Sequence, residues 1–191
     1  MSSLRNRVDR KRELTLQDVE RIVNKPIFLI TADNKSNLPL LLENDDSGLK
    51  RVVIHYQNSD NGLVKGGHWC GMLIDNFHKN IYFFDPYGGF PDDQLNKIQM
   101  WYRKKTHQQG RDIGKFLADA LTSGYKIFYN EHKLQKMQDG NNTCGRWVAS
   151  FLKRGQSTDN FYKFISSYNR TWKDPTMDDS IVRLTNNILL Q

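Results

Sequence analysis

The sequence predicts an α+β fold: a small central, mainly antiparallel sheet packed against helices. Short stretches rich in Val, Ile, Phe and Tyr gather in the first half of the chain, at 26–31, 51–56, 68–75 and 81–85. Helical periodicity dominates later, most clearly where Cys144, Trp147, Val148, Phe151 and Leu152 fall at i, i+3, i+4, i+7 and i+8. Strands and helices thus occupy separate stretches instead of alternating, which favours segregated layers over a doubly wound parallel sheet.

Each element carries its own signal. Thr15-Leu16-Gln17-Asp18 reads as a capping box that opens a helix ending before Pro26. Pro26 to Thr31 reads as a strand, and 32–49 as a loop around Asn34, Asn37 and Asp45-Asp46-Ser47-Gly48. Arg51–Tyr56, His68–Asp75 and Ile81–Asp85 are three further strands. Asp92–Lys104 and Asp112–Leu121 read as helices, the first turning Leu95, Ile98 and Trp101 toward the core. Gly124–Tyr129 is another strand. The helix from Cys144 ends near Gly155, and two more follow around Thr158–Tyr168 and Thr176–Leu190.

Composition narrows the class. A chain of 191 residues, 38% hydrophobic and 12% aromatic, is long enough for one well-buried core and is not of disordered type. Residues 14–191 are expected to form a single domain, preceded by a flexible basic arm over 1–13. The arm's Arg5, Arg7, Arg10, Lys11 and Arg12 outweigh Asp9 and Glu13, for a net +3. No apolar run approaches the ~20 residues of a membrane span, and no apolar stretch follows Met1-Ser2-Ser3-Leu4-Arg5 as in a secretory signal. A cytosol-like compartment, with no secretion and no membrane partner, is therefore expected. The two cysteines, Cys70 and Cys144, do not make a disulfide scaffold. A formal net charge of +7 favours polyanionic partners such as non-specifically bound DNA.

Three residues carry candidate chemistry. His68 and Asp85 bracket two β segments. A hairpin symmetric about Asn76–Phe77 sets them directly opposite, at the ~4.5–5.5 Å Cβ separation that suits an imidazole–carboxylate hydrogen bond. Such a carboxylate fixes the imidazole tautomer and favours its protonated form. Cys144 stands at the first turn of the amphipathic helix, where free amides and the helix dipole favour a thiolate. Asn141-Asn142-Thr143 offers N-cap side chains there, and the same amides can cradle an oxyanion. An ordinary surface His–Asp pair and a packing cysteine explain the same residues singly. Zinc held by His55, His68, Cys70 and Cys144 matches no familiar spacing, so neither metal nor cofactor is expected.

Three blocks add a resemblance. Gly67-His68-Trp69, Tyr82-Phe83-Phe84-Asp85-Pro86-Tyr87-Gly88 and Gln138-Asp139-Gly140-Asn141-Asn142-Thr143-Cys144-Gly145 resemble the active-site blocks of one cysteine-protease superfamily. It joins the adenovirus maturation protease (adenain) with the SUMO-type proteases, and implies a papain-like fold of that type. The resemblance spans roughly residues 66–154. It implies Cys144 as nucleophile, His68 as base, Asp85 as orienting acid and Gln138 as oxyanion donor, with Gln135 the fallback. Trp69 is then expected beside the imidazole, and Gly67 and Gly145 where substrate backbone passes closely. The mixture of adenoviral and SUMO-type features is similar to the maturation proteases of virophages and polinton-like viruses. That likeness implies cleavage of viral capsid or other virion precursors, in virions and in the cytoplasm (viral factory) of infected cells, with possible stimulation by DNA. No cysteine stands near Ile127, so activation through a peptide disulfide, as in the adenoviral enzyme, is not implied. Two alternatives stay open: a deconjugase for a ubiquitin-like modifier, and a non-enzymatic nucleic-acid-binding virion protein using Trp101-Tyr102-Arg103-Lys104-Lys105.

Overall fold

The computed structural model describes residues 10–43, 48–60, 63–137, 141–155, 157–169 and 177–190. Among these residues five strands lie side by side in chain order: β1 (Phe28–Ile30), β2 (Leu49–Asp60), β3 (Leu63–Asp75), β4 (Asn80–Phe84) and β5 (Lys126–Tyr129). The long central ladders, β2–β3 and β3–β4, are antiparallel, and short β1 and β5 join the two edges in parallel. The expected α+β layout, with a mainly antiparallel sheet, is what forms.

Helices cover both faces. On one lie α1 (Leu16–Val23), α4 (Cys144–Arg154), α5 (Thr158–Asn169) and α6 (Met177–Leu189). Their Val19, Val148, Phe151, Phe161 and Ile181 bury against Val53, Leu73, Tyr82 and Phe84 of the sheet. On the other, α3 (Asp112–Thr122) and two 3-10 segments, Lys35–Leu42 and Asp93–Lys97, cover Met72, Ile74, Ile81 and Phe83. A sheet buried on both faces explains why its strands read as continuous apolar runs rather than as alternating ones. Among the described residues no helix is long and apolar enough to cross a membrane.

Several elements differ from the sequence reading. The 32–49 loop contains the 3-10 segment Lys35–Leu42. Asp92–Lys104 is not one helix: extended backbone at Ile98 and Gln99 separates the 3-10 turn from α2 (Met100–Lys105). That break shifts the helical phase, so Tyr102 is buried while Trp101 stands 48% exposed beside exposed Lys104 and Lys105. The β3–β4 register also differs. Asp75 pairs with Asn80 and Gly71 with Phe84, which sets Asp85 level with Cys70, not His68. The cause is a four-residue turn over 76–79, held by the His78 N–H donating to Asp75 Oδ1 at 3.0 Å and closed by Lys79 at φ 52°.

Close packing of α4 on β3 positions the nucleophile candidate. A Cβ on Gly71 would lie 3.0 Å from Phe151 Cδ1 and 3.1 Å from Val148 Cγ1. The missing side chain lets the helix settle onto the strand, which brings the start of α4 to the strand end that carries His68.

Candidate active site

Three residues past the Gly71–Phe84 end of the β3–β4 ladder, the His68 ring turns back toward Asp85, and its Nε2 lies 2.8 Å from Asp85 Oδ1. The pair is buried, the aspartate fully. His68, Cys70 and Asp85 share one face of the sheet, so the shifted register keeps the contact as a diagonal pair. Asp85 is heavily supported. Its Oδ1 also accepts the Tyr87 N–H at 2.8 Å, and its Oδ2 accepts from Gln94 Nε2 at 2.7 Å. The Asn130 amide clamps its backbone, accepting from Asp85 N at 2.9 Å and donating to Asp85 O at 2.8 Å.

These contacts set the proton affinities. Burial alone would raise the Asp85 pKa, but the His68 hydrogen bond and charge, with the Tyr87 and Gln94 donors, hold it below the ordinary value. Burial likewise opposes an imidazolium at His68. The Asp85 carboxylate bonded to the ring, with the Cys144 and Cys70 sulfurs close by as weak acceptors, outweighs it, and the pKa stands well above the usual value. The Cys70 thiol is pushed up to about 12, chiefly by burial and next by Asp85. Cys70 is thus a neutral thiol behind the histidine. With Nε2 committed to Asp85, the other ring nitrogen, Nδ1, is left for Cys144.

Cys144 is the first residue of α4 and lines an open cleft of about 250 Å³ together with His68, Tyr87, Gln94 and Gln135. No side chain caps α4, contrary to the expectation for 141–143. Thr143 Oγ1 instead donates to Asp178 Oδ1 at 2.6 Å, and Asn141 Nδ2 to Asp178 Oδ2 at 2.8 Å. The same carboxylate accepts from Trp147 Nε1 at 3.1 Å and from the Lys136 N–H at 3.2 Å. Drawing the cap side chains to α6 leaves the first-turn amides uncovered by them.

The other sequence-derived candidates divide. Gly67 lines the cleft, where a Cβ would lie 2.3 Å from Tyr56 O, so only glycine fits. Gly145 is turned toward Leu14 and is not among the cleft-lining residues. Trp69 packs on the opposite side of β3 against the His55 ring, with centroids 4.7 Å apart. The ring stacked on the His68 imidazole belongs to Tyr87, at 4.7 Å. Gln138 lies outside the described residues. Gln135 reaches the site buried, its Nε2 donating to Asn141 O at 2.8 Å and Tyr87 OH at 3.2 Å. Of the proposed zinc ligands, His68 and Cys70 cluster instead with Asp85, their donor atoms within 4.8 Å of one another, while His55 belongs to the other face with Trp69. Any metal there would have to displace the His68–Asp85 hydrogen bond and deprotonate Cys70.

Residues 10–13 are tied to this region. The Asn142 N–H donates to Arg10 O at 2.8 Å and Asn142 Nδ2 to Lys11 O at 2.9 Å. Arg10 pairs with Asp179 and Arg12 with Asp18, while Arg5 and Arg7 lie outside the described residues. Sequence reasoning missed Tyr87, Gln94, Asn130 and Asp178 as supports. Tyr87 stood inside a recognised block, but the others carry no local signal.

A buried carboxylate on an imidazole, facing a thiol at a helix start in an open cleft, is the layout of a thiol enzyme that works by acyl transfer. No family model matches the chain. Its sequence is 33% identical over 120 residues to an uncharacterized Sputnik virophage protein, covering 62% of this chain and 66% of that one. It is 28% identical over 126 residues to a protein of Acanthamoeba polyphaga mimivirus named a "putative thiol protease", covering 64% of this chain and 35% of that one. The matches thus span less than two thirds of either relative. Among solved structures, the SUMO protease Ulp1 is similar at a TM-score of 0.40 and 13% identity, over 94% of this chain and 78% of that one. The chain is related to virophage and mimivirus proteins, and the resemblance drawn from its three sequence blocks is borne out.

Proposed function

We propose that the chain is a cysteine endopeptidase that cleaves viral capsid or other virion precursor polypeptides during particle maturation. The observation that carries this reading is His68 held at 2.8 Å by buried Asp85 in the cleft that Cys144 lines from an uncapped helix start. Cys144 Sγ attacks the scissile carbonyl as a thiolate, its proton taken by His68 Nδ1. The imidazolium, stabilised by Asp85, then protonates the leaving amine. Water, deprotonated by the same histidine, hydrolyses the thioester and frees Sγ. Charge on the tetrahedral oxygen is met by the α4 first-turn amides and, from the sequence resemblance, by the Gln138 amide.

The viral source of the relatives, one of them named as a thiol protease, supports polypeptide substrates encountered in an infected cell or an assembling particle. The net +7 supports weak DNA binding that would concentrate the enzyme there and stimulate it. No metal or other cofactor enters this chemistry. The test is incubation with a thiol-directed electrophilic peptide followed by mapping of the modified residue. Modification at Cys144 is expected, abolished by Cys144→Ala and strongly slowed by Asp85→Asn. Modification at Cys70, or cleavage of virion precursors by the Cys144→Ala protein, would overturn the assignment.

A further inference from the structure

The cleft in front of Cys144 is walled by two side chains of opposite charge, each without an ionic partner among the described residues. Glu13 enters from the segment before α1, and Lys97 from the last turn of the 3-10 segment Asp93–Lys97. Among the described residues these are the only charged groups besides His68 that line it. Glu13 lies against the start of β3, where a Cβ on Gly66 would stand 2.2 Å from its carboxylate oxygens. Gly66 has φ +63°, a conformation that favours glycine there and leaves room for the carboxylate to approach the strand. The Glu13 backbone follows Arg10 and Lys11, which are pinned to the Asn142 loop, and precedes Leu14, which is buried against α4. The carboxylate is therefore held at the cleft by its chain on both sides. Burial raises its pKa. Across the cleft, Lys97 Nζ sits 4.7 Å above the Tyr87 ring, which itself stacks on His68. That cation–π contact fixes the ammonium beside the site without neutralising it.

An anion and a cation with no ionic partner among the described residues, one on each side of the cleft, lower the free energy of a bound peptide that supplies their counter-charges. We infer that Glu13 and Lys97 are specificity-determining residues, forming one subsite for a basic side chain and a second for an acidic side chain of the substrate polypeptide. This rests on the reading of Cys144 as the nucleophile and adds the substrate's charge pattern to it. The remaining lining beside them, Tyr56, Asn58, Gln94 and Asn141, is polar and uncharged, so the two subsites are the cleft's principal electrostatic features.

The test uses the full chain and a panel of electrophilic peptides, identical except that Lys, Glu or Ala occupies each position flanking the reactive carbonyl. The second-order rate of Cys144 modification is measured for each. Wild type is expected to prefer Lys over Glu at one position, and Glu over Lys at another, by about two- to fivefold each, the worth of an exposed ion pair. Both preferences should shrink with added salt. Glu13→Gln should abolish the first preference and Glu13→Lys should invert it, while Lys97→Glu should invert only the second. Because each readout is a ratio within one variant, a general loss of activity or stability does not imitate the result. Flat ratios in wild type, or preferences that survive both charge reversals, would overturn the inference. Iodoacetamide separates it from the reading beneath it. If Cys144 of the native wild type reacts no faster than in the denatured chain, the nucleophile assignment fails. Fast reaction with flat peptide ratios sinks the charge pattern alone.

Discussion

Asp178 offers the sharpest test of how the site is held together. Its carboxylate, buried on the first turn of α6, accepts four hydrogen bonds, from Lys136, Asn141, Thr143 and Trp147. All four donors lie on the loop that leads to the nucleophile or on α4 itself. A hydrogen bond to a charged group contributes roughly 1.5–3 kcal/mol, partly offset by the cost of burying the carboxylate. Asp178→Ala strands all four donors together, so the expected loss is about 3–5 kcal/mol, the range for breaking a buried polar network. Against a whole-protein stability of ~5–15 kcal/mol this is large. At ~2 kcal/mol per molar urea, the unfolding midpoint should fall by roughly 1.5–2.5 M. Asp178→Asn keeps one acceptor oxygen but turns an NH₂ toward two of the donors, and should lie between wild type and alanine. Urea titration gives the midpoint, and Cys144 alkylation in the native range shows whether the loop still presents the thiol. A midpoint within about 0.5 M of wild type, with unchanged alkylation, would refute the idea that Asp178 organises this loop.

Other expectations follow from the same geometry. Cys70→Ala should retain most peptide cleavage, since a buried thiol with its pKa near 12 supplies no thiolate, whereas Cys144→Ala should retain none in a fluorogenic assay. Because the His68 pKa is raised, its imidazolium contributes stability that is complete below about pH 6.5 and lost as pH rises through the folded-state value. Asp85→Asn should flatten that alkaline loss in urea midpoints taken from pH 6.5 upward and slow cleavage by roughly 10²- to 10⁴-fold. An unchanged slope would show that Asp85 does not hold the proton. Gln138→Ala should slow turnover by about 10- to 1000-fold while sparing alkylation, because an oxyanion forms only with acyl substrates. Gln135→Ala should impair both reactions, since its amide braces Asn141 and Tyr87, and the opposite pattern would exchange the two roles. Deleting residues 1–9 should flatten the salt dependence of DNA retention on a column, and an unchanged slope would exclude those residues from DNA binding.

Much of this architecture was legible in the chain because its signals are local. The Thr15–Asp18 capping box forms as read, with the side chain of each residue bonded to the other's backbone. The apolar stripe from Cys144 to Leu152 becomes α4, since side-chain period and helix period agree over three turns. The neighbours of His68, Asp85 and Cys144 in sequence point to them, and tertiary folding brings His68 and Cys144 to one cleft with Asp85 buried behind the imidazole. What failed was phase. Trp101 was assigned inward because Leu95, Ile98 and Trp101 keep helical spacing, but two extended residues reset the rotation before α2 begins. The hairpin register failed in the same way, since one turn of unforeseen length shifts every pair after it.

The tertiary structure alone decided which polar groups serve the site. Asp178 lies 34 residues beyond Cys144, and Asn130 lies 45 beyond Asp85. Neither belongs to a pattern that its own neighbours could reveal. Sequence fixes what a residue can donate, accept or ionise. Its partner is chosen by which distant segments the packed sheet and helices bring within 3 Å or so, a distance set by the whole core rather than by any stretch of chain. Glu13 shows the difference most simply. In the sequence it is one acid in a basic arm, and in the fold it is a carboxylate at the mouth of the cleft.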